Sequence, residues 1–182
     1  MKHRTQTGFT LVELIIALGL AAVLLGIGVP AFTDFIRNNR MIGVTNELVT
    51  ALQFARSEAV KRNNNVTICI STDGATCTGG ALWESGWIVF DDVNANAVVD
   101  GAQIVRSHAA IGGGNTVRVT AGNVGSFVSF NGNGFPRNVA GVILTATFSV
   151  CDARGAVAGV ARTVQVGASG RVRSSEVIAS CT

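Results

Sequence analysis

The distribution of apolar and polar residues divides the chain into an apolar stretch, an amphipathic stretch and a long region of short β-rich runs. From Leu14 to Thr33, twenty residues carry no charge. At 1.5 Å per residue, a helix of this length crosses a hydrocarbon core of about 30 Å. The alternative is a fully buried helix of a soluble protein, which would normally show a polar stripe that is missing here. The stretch therefore predicts a membrane-spanning helix.

Beyond residue 33 the apolar positions follow a helical spacing. Five apolar residues recur three or four positions apart: Val44, Leu48, Leu52, Ala55 and Ala59. The charged side chains between them are expected to form a solvated face. We predict one helix with an apolar first part, residues 9–33, and an amphipathic second part, residues 34–65, whose stripe packs against a sheet. Pro30 removes a helical hydrogen bond, so we expect a kink or local melting there.

After residue 65 the sequence changes to short runs of β-branched and aromatic residues separated by Gly and Asn, which is typical of strands. The runs that we predict as strands are 66–70, 86–90, 103–107, 116–120, 126–130, 141–150 and 161–167. Residues 66–182 are therefore predicted to form a β-rich globular head.

Charge is unevenly distributed along this head. The chain of 182 residues has a formal net charge of +3 and only 14% charged residues, against about 25% in soluble proteins. Residues 63–100 contain five acidic residues and no Lys or Arg, whereas residues 101–182 contain seven Arg against two acidic residues. The C-terminal part is therefore basic through arginine alone, the side chain that binds phosphate bidentately.

The first residues, MKHRTQTG, place Lys2 and Arg4 ahead of the apolar run. A secretory signal would have a small-residue cleavage site after its apolar stretch, and none is found there. Residues 8–14, GFTLVEL, closely resemble the prepilin processing motif of type IV pilins and type II secretion pseudopilins. The resemblance implies that a prepilin peptidase removes residues 1–8 as a leader by cutting between Gly8 and Phe9, and that the new amino terminus is methylated.

Glu13 places a carboxylate inside the apolar run. A charge there costs about 2.5–3.5 kcal/mol near the bilayer centre and less near the interface. We expect it to pair with a positive partner, and the resemblance assigns it a role in filament assembly with the amine of Phe9 on a neighbouring subunit. The alternative is an interfacial Glu that remains hydrated.

A second resemblance covers most of residues 9–107 and a region near the C terminus. The stretches ARSEAVKRNNNVTI and VFDDVNAN, with Trp83 and Gly86-Trp87 between them, resemble the GspH/FimT-like minor pilins and pseudopilins. The resemblance implies an α+β, type IV pilin-like fold, in which a long N-terminal helix packs on antiparallel sheets. It also implies a single-pass protein of the bacterial inner membrane with its head in the periplasm, which later joins other pilin or pseudopilin subunits in a filament.

Four cysteines, at positions 69, 77, 151 and 181, allow three pairings. We favour Cys69–Cys77, which would close a hairpin, and Cys151–Cys181, which would fix the last residues to a strand. Metal binding is the alternative. It is disfavoured because the chain has no CxxC spacing and only two histidines, so no metal and no cofactor are predicted.

Two further motifs are interpreted as structural. The run Asp92-x-Asn94-x-Asn96-x3-Asp100 has the alternating oxygen ligands of a calcium loop but lacks its Gly and its final Glu. We therefore favour a plain turn for residues 91–100. Trp83 and Trp87 are assigned to the core, with stacking on bases as the alternative.

No catalytic constellation is visible, since the mature chain has a single His and no Ser–His–Asp pattern. We predict that the protein is not an enzyme. A binding or structural role is left for the head.

The segment SGRVRSS, residues 169–175, is the strongest candidate for a binding function. Arg171 and Arg173 lie two apart in an extended segment, so they share a face and can contact successive phosphates. The stretch from Gly170 to Arg173 resembles the Gly-Arg-x-Arg element of the FimT-type minor pilins that bind DNA during natural transformation. Three more arginines could extend the patch: Arg137, Arg154 and Arg162. The alternative is two exposed arginines on a strand.

These observations predict a minor type IV pilin that binds extracellular DNA, independently of sequence, for DNA uptake. Two alternatives share its anchor, leader and fold. One is a structural minor pilin that supports pilus assembly, and the other is a type II secretion pseudopilin of the GspH type.

Overall fold

The computed structural model describes residues 8–101, 103–122, 124–154, 161–176 and 181. Residues 1–7 of the predicted leader lie outside this described part. The chain forms two compact units, residues 1–39 and residues 40–182. The predicted β-rich head belongs to the second unit.

Helix α1 runs from Leu11 to Arg62, close to the predicted bounds. Its N-terminal part is long and apolar enough to cross a membrane, with a mean hydropathy of 2.5 over 18 residues, none of them buried. The backbone is helical on both sides of Pro30, so local melting, one of the two outcomes expected there, is wrong, and the kink stays a prediction. The hydroxyl of Thr33 donates to the Pro30 carbonyl over 2.8 Å, and the helix continues past the proline.

Within the described residues, nine strands form two antiparallel sheets. Their bounds are β1 Val66–Ile70, β2 Trp87–Asp91, β3 Ile104–His108, β4 Thr116–Gly122, β5 Phe127–Phe130, β6 Pro136–Arg137, β7 Ala146–Cys151, β8 Arg162–Val166 and β9 Val172–Glu176. One sheet has five strands in the order β3-β2-β1-β5-β6, and the other has four in the order β4-β7-β8-β9.

The seven predicted strands are confirmed, most of them with shifted ends, whereas β6 and β9 were not among the predicted strands. The largest shift is at β7, which begins at Ala146 rather than residue 141. Asn138 turns the chain there, because its side-chain oxygen accepts from the backbone N–H groups of Ala140 and Val142. Such side-chain contacts compete with the strand ladder.

One hydrophobic core joins α1 to both sheets. The α1 stripe residues Val44, Leu48, Leu52, Ala55 and Ala59 are all buried in it, as predicted. Trp83 and Trp87 lie in the same core, and Trp83 packs edge-on against Phe148 with 5.1 Å between ring centroids. Their assignment to the core is therefore confirmed, and base stacking on this pair is wrong.

Both predicted disulfides are present. Cys69 is bonded to Cys77 and Cys151 to Cys181, and no free cysteine occurs among the described residues. The first bond closes a loop of eight residues after β1, and the second fixes Cys181 to the end of β7. In the chain-entropy account, each bond restricts the unfolded chain and thereby stabilises the head.

The buried stripe leads to a first prediction. Leu52→Ala should lower the free energy of unfolding by about 2–5 kcal/mol, because it leaves a cavity where α1 meets the core. Leu52 is 0% exposed, whereas Val60 on the same helix is 51% exposed, so Val60→Ala is the matched control and should cost about 0.5 kcal/mol or less. Urea unfolding of the full chain in non-ionic micelles, followed by tryptophan fluorescence, measures both. Equal losses would contradict the assigned packing.

Candidate functional site

The N-terminal segment presents its motif residues to solvent. Gly8, Phe9 and Thr10 precede the helix, and Phe9 is 86% exposed. The Thr10 hydroxyl accepts from the backbone N–H of Glu13 over 3.3 Å, which satisfies one free donor of the first helical turn. The peptide bond between Gly8 and Phe9 therefore lies in exposed, non-helical chain, as a peptidase requires. Glu13 lies in the first turn of α1, and no ion pair to it is found within the described residues.

The second candidate is the turn that joins β8 to β9. Gly170 occupies it with a φ of +76°, and its N–H donates to the Gly167 carbonyl over 2.8 Å. Gly167 in turn donates to the Arg171 carbonyl over 3.0 Å. Gly170 is buried against the Gly134 carbonyl oxygen, which a Cβ at this position would meet. The glycine is therefore required both by its backbone conformation and by the close approach of a second loop.

Arg56 of α1 holds this turn in place. Its Nε donates to the Gly134 carbonyl over 3.0 Å and its Nη2 to the Ser169 carbonyl over 3.2 Å. The side chain was expected to belong to a solvated helix face, and that expectation is wrong, because it joins the helix to two loops. Helical spacing alone does not distinguish a hydrated arginine from one whose partners lie 78 and 113 residues away.

Arg171 and Arg173 lie at one groove, and strand register fixes the face on which Arg173 lies. Arg173 on β9 is paired with Gln165 on β8, which is paired with Thr147 on β7. Residues paired in register point to the same face of a sheet, and their alternate neighbours, such as Val164, point into the core. Both arginines line a groove of about 360 Å³ on this sheet. The two side chains are exposed, and neither has an ion pair among the described residues.

The three other candidate arginines are engaged elsewhere. Arg162 is bonded to Glu176 over 2.6 Å, and its register with core residues places it on the opposite face of the sheet from Arg173. Arg154 forms an ion pair with Asp152 over 2.5 Å, and Arg137 donates to the Gly141 carbonyl. The structure therefore brings together two of the five arginines named from the sequence.

The Asp/Asn-rich loop has internal partners for its polar groups. The side-chain amides of Asn94 and Asn96 donate to Asp100 over 2.9 and 2.8 Å, and these bonds lower the pKa of the Asp100 carboxyl. Asp92 is buried and accepts from the Thr67 hydroxyl over 2.6 Å. These contacts are those of a self-bonded turn.

The architecture defines a class of protein. A long apolar N-terminal helix, whose second half packs on antiparallel sheets, is the type IV pilin fold. The crystal structure of the minor pilin FimU of Pseudomonas aeruginosa shares it, with a TM-score of 0.56 and 22% identity over 76% of this chain and 90% of that one. The α+β fold predicted from the sequence is thus confirmed.

Sequence comparison then gives the family. Residues 44–170 match the family described as type II transport protein GspH, and residues 3–29 match the prokaryotic N-terminal methylation motif. The chain belongs to the GspH family of pilin-like proteins. The methylation motif implies processing by a prepilin peptidase.

Two relatives carry pilin-related names. The pilin-like protein PilA1 of Thermus thermophilus is 35% identical over 118 residues, which is 63% of this chain and 66% of that protein. The prepilin peptidase-dependent protein D of Escherichia coli is 32% identical over 78 residues, 42% of this chain and 46% of that protein. The chain therefore matches just under two thirds of the first relative and less than half of the second.

The turn geometry leads to a second prediction. Gly141 also has a φ of +76° but no atom near its Cβ position, whereas a Cβ on Gly170 would meet Gly134 and Arg56. Gly141→Ala should therefore cost only the left-handed conformation, about 1–2 kcal/mol. Gly170→Ala should cost about 1–3 kcal/mol more, because it also overpacks the contact. Urea unfolding of both variants measures the difference, and equal costs would show that the close approach is absent.

Proposed function

We propose that this protein is a minor type IV pilin that binds extracellular DNA through Arg171 and Arg173 and so supports DNA uptake in natural transformation. The observation that carries the proposal is the groove shared by these two arginines. Both guanidinium groups are exposed and lack a carboxylate partner among the described residues, so both are free to bind an external anion. The turn below them is held by Arg56 and by the buried Gly170, so the backbone that carries Arg171 is fixed before a ligand binds.

The chemistry of the groove suits a phosphate backbone. Arginine presents paired N–H donors that match phosphate oxygens, and contacts of this kind carry no base information. Binding should therefore be independent of sequence and weak, with dissociation constants of about 10⁻⁴–10⁻⁶ M at physiological salt. A weak contact on each subunit would be strengthened where several subunits bind one DNA molecule.

The N-terminal segment supports placement in a filament. We propose that cleavage leaves Phe9 as a methylated amino terminus, that the apolar part of α1 anchors the chain in the inner membrane, and that the head lies in the periplasm before assembly. Glu13 would then pair with the Phe9 amine of a neighbouring subunit. The support is the methylation motif together with an exposed Glu13 that has no ion pair among the described residues.

A second candidate function is favoured by the family itself. The family description names type II transport, so a pseudopilin of a type II secretion system would use the same helix, head and assembly residues. A structural minor pilin would do so as well. Neither role requires two unpaired arginines in one groove, and this feature is why DNA binding is placed first.

The DNA proposal leads to a third prediction. Each lost phosphate contact should flatten the log–log salt dependence of binding by about 0.9 for duplex DNA. Arg171→Gln with Arg173→Gln should therefore weaken binding to all sequences alike and lower the slope by nearly two. Fluorescence anisotropy with a labelled duplex and the full chain in non-ionic micelles measures this.

The matched control is Arg106→Gln, which removes one positive charge far from the groove in the strand order. Arg106 lies on β3 of the other sheet, over the ring of Phe54 from α1. This variant removes the same charge as Arg173→Gln and should leave the slope nearly unchanged. DNA binding at this groove is wrong if the wild-type chain shows no binding at low salt. It is also wrong if Arg173→Gln and Arg106→Gln lower the slope of the salt dependence equally. The structural and secretion roles would then stand first.

The assembly proposal leads to a fourth prediction. Glu13→Ala should leave cleavage after Gly8 intact but reduce incorporation of the subunit, because the neighbouring amine loses its partner. Glu13→Asp keeps the carboxylate and should be incorporated better than the alanine variant. Immunoblots of sheared filament fractions measure incorporation, and mass spectrometry reads the terminus. Wild-type incorporation of Glu13→Ala would refute the pairing.

A further inference from the structure

We propose that the phosphate backbone of the bound nucleic acid crosses the four-stranded sheet, and that Gln165 and Thr147 bind it together with Arg173. This inference rests on the proposed function and names the path of the ligand at that site. The three residues come from adjacent strands and form one row, because Thr147 is in register with Gln165 and Gln165 with Arg173.

The row continues the groove that contains the arginines. Its lining includes Thr147, Gln165, Ser169, Arg171 and Arg173, and no carboxylate among the described residues. Strands lie about 4.8 Å apart, so the row spans roughly 10 Å across three strands. Amide and hydroxyl side chains are common phosphate ligands in protein–DNA interfaces. Gln165 is exposed, and its amide has no hydrogen-bond partner among the described residues.

Arg171 also borders a second groove, of about 630 Å³, between β9 and α1. That groove is less suited to an anion. Its Lys61 is bonded to Glu58 over 3.2 Å, its Arg56 is engaged by two carbonyls, and Val60 and Val172 supply apolar surface. Arg173 lines only the sheet groove of these two. Free hydrogen-bonding capacity therefore favours the path over the sheet, where amide and hydroxyl side chains lie beside the two arginines.

Gln and Thr are neutral, so their contacts with phosphate release no counterions when DNA binds. Removing such a contact should weaken binding but leave the slope of the salt dependence unchanged. Gln165→Ala should raise the dissociation constant for a labelled 20-base-pair duplex about three- to tenfold at low salt, and Thr147→Val should act in the same direction. For both variants, the slope of the log–log salt dependence should stay at the wild-type value. Fluorescence anisotropy of the labelled duplex with the full chain in non-ionic micelles measures the dissociation constant and the slope.

Two glutamines provide matched controls. Gln53 lines the helix groove, and Gln103 lies in the loop before β3 of the other sheet. Gln53→Ala and Gln103→Ala should both bind like the wild type. If Gln53→Ala weakens binding and Gln165→Ala does not, the ligand follows the helix groove and the inference is overturned.

The remaining outcomes separate this inference from the proposed function. If Gln165→Ala binds like the wild type while the Arg171 and Arg173 variants lose affinity, the sheet path is wrong but DNA binding survives. If the wild-type chain itself does not bind, the proposed function fails first. A changed slope for Gln165→Ala would also contradict a neutral phosphate contact.

Discussion

The head depends on the burial of one apolar stripe of α1. Leu48, Leu52 and Ala55 share a single core with residues from both sheets, so the helix is the element through which the two sheets contact one interior. Buried apolar surface contributes about 25 cal/mol per Å², which makes this stripe a main source of stability in the second unit. Its position also fixes the rotation of the helix. Arg56, one residue beyond Ala55, is thereby directed toward the β8–β9 turn.

The geometry of the proposed binding groove is linked to that rotation. Arg56 can reach the carbonyls of Gly134 and Ser169 only because its neighbour on the helix is buried, and these bonds hold two loops together. Gly170 completes the contact, since a side chain at its position would displace the Gly134 carbonyl. The glycine of the Gly-Arg-x-Arg stretch thus has a structural role, whereas its two arginines project outward. The stretch therefore contains one residue needed for packing and two exposed residues to which the proposed binding is assigned.

The sequence predicted those features that depend on local patterns. The helix, seven strands and both disulfides followed from periodicity, turn residues and the spacing of cysteines. The clamp by Arg56 did not, because its partners lie 78 and 113 residues away in the chain. Strands β6 and β9 were also missed, since β6 has only two residues and β9 lacks a run of β-branched and aromatic residues. The melting expected at Pro30 also failed. Proline removes its own N–H donor, yet the backbone remains helical on both sides of it. Register, which decides the face of each arginine, was likewise inaccessible before the strands were paired.

Charge pairing, rather than charge number, determines where an anion can bind. The C-terminal half carries seven arginines against two acidic residues, which suggests a broadly basic surface. In the part of the chain that the structure describes, three of the seven have carboxylate partners, namely Arg118 with Glu84, Arg154 with Asp152 and Arg162 with Glu176. Partner carboxylates reduce the local potential within a Debye length of about 8 Å at physiological salt. Arg171 and Arg173 have no carboxylate partner within the described part of the chain, and no described carboxylate lines their groove, which is why the proposed phosphate contacts are assigned to it.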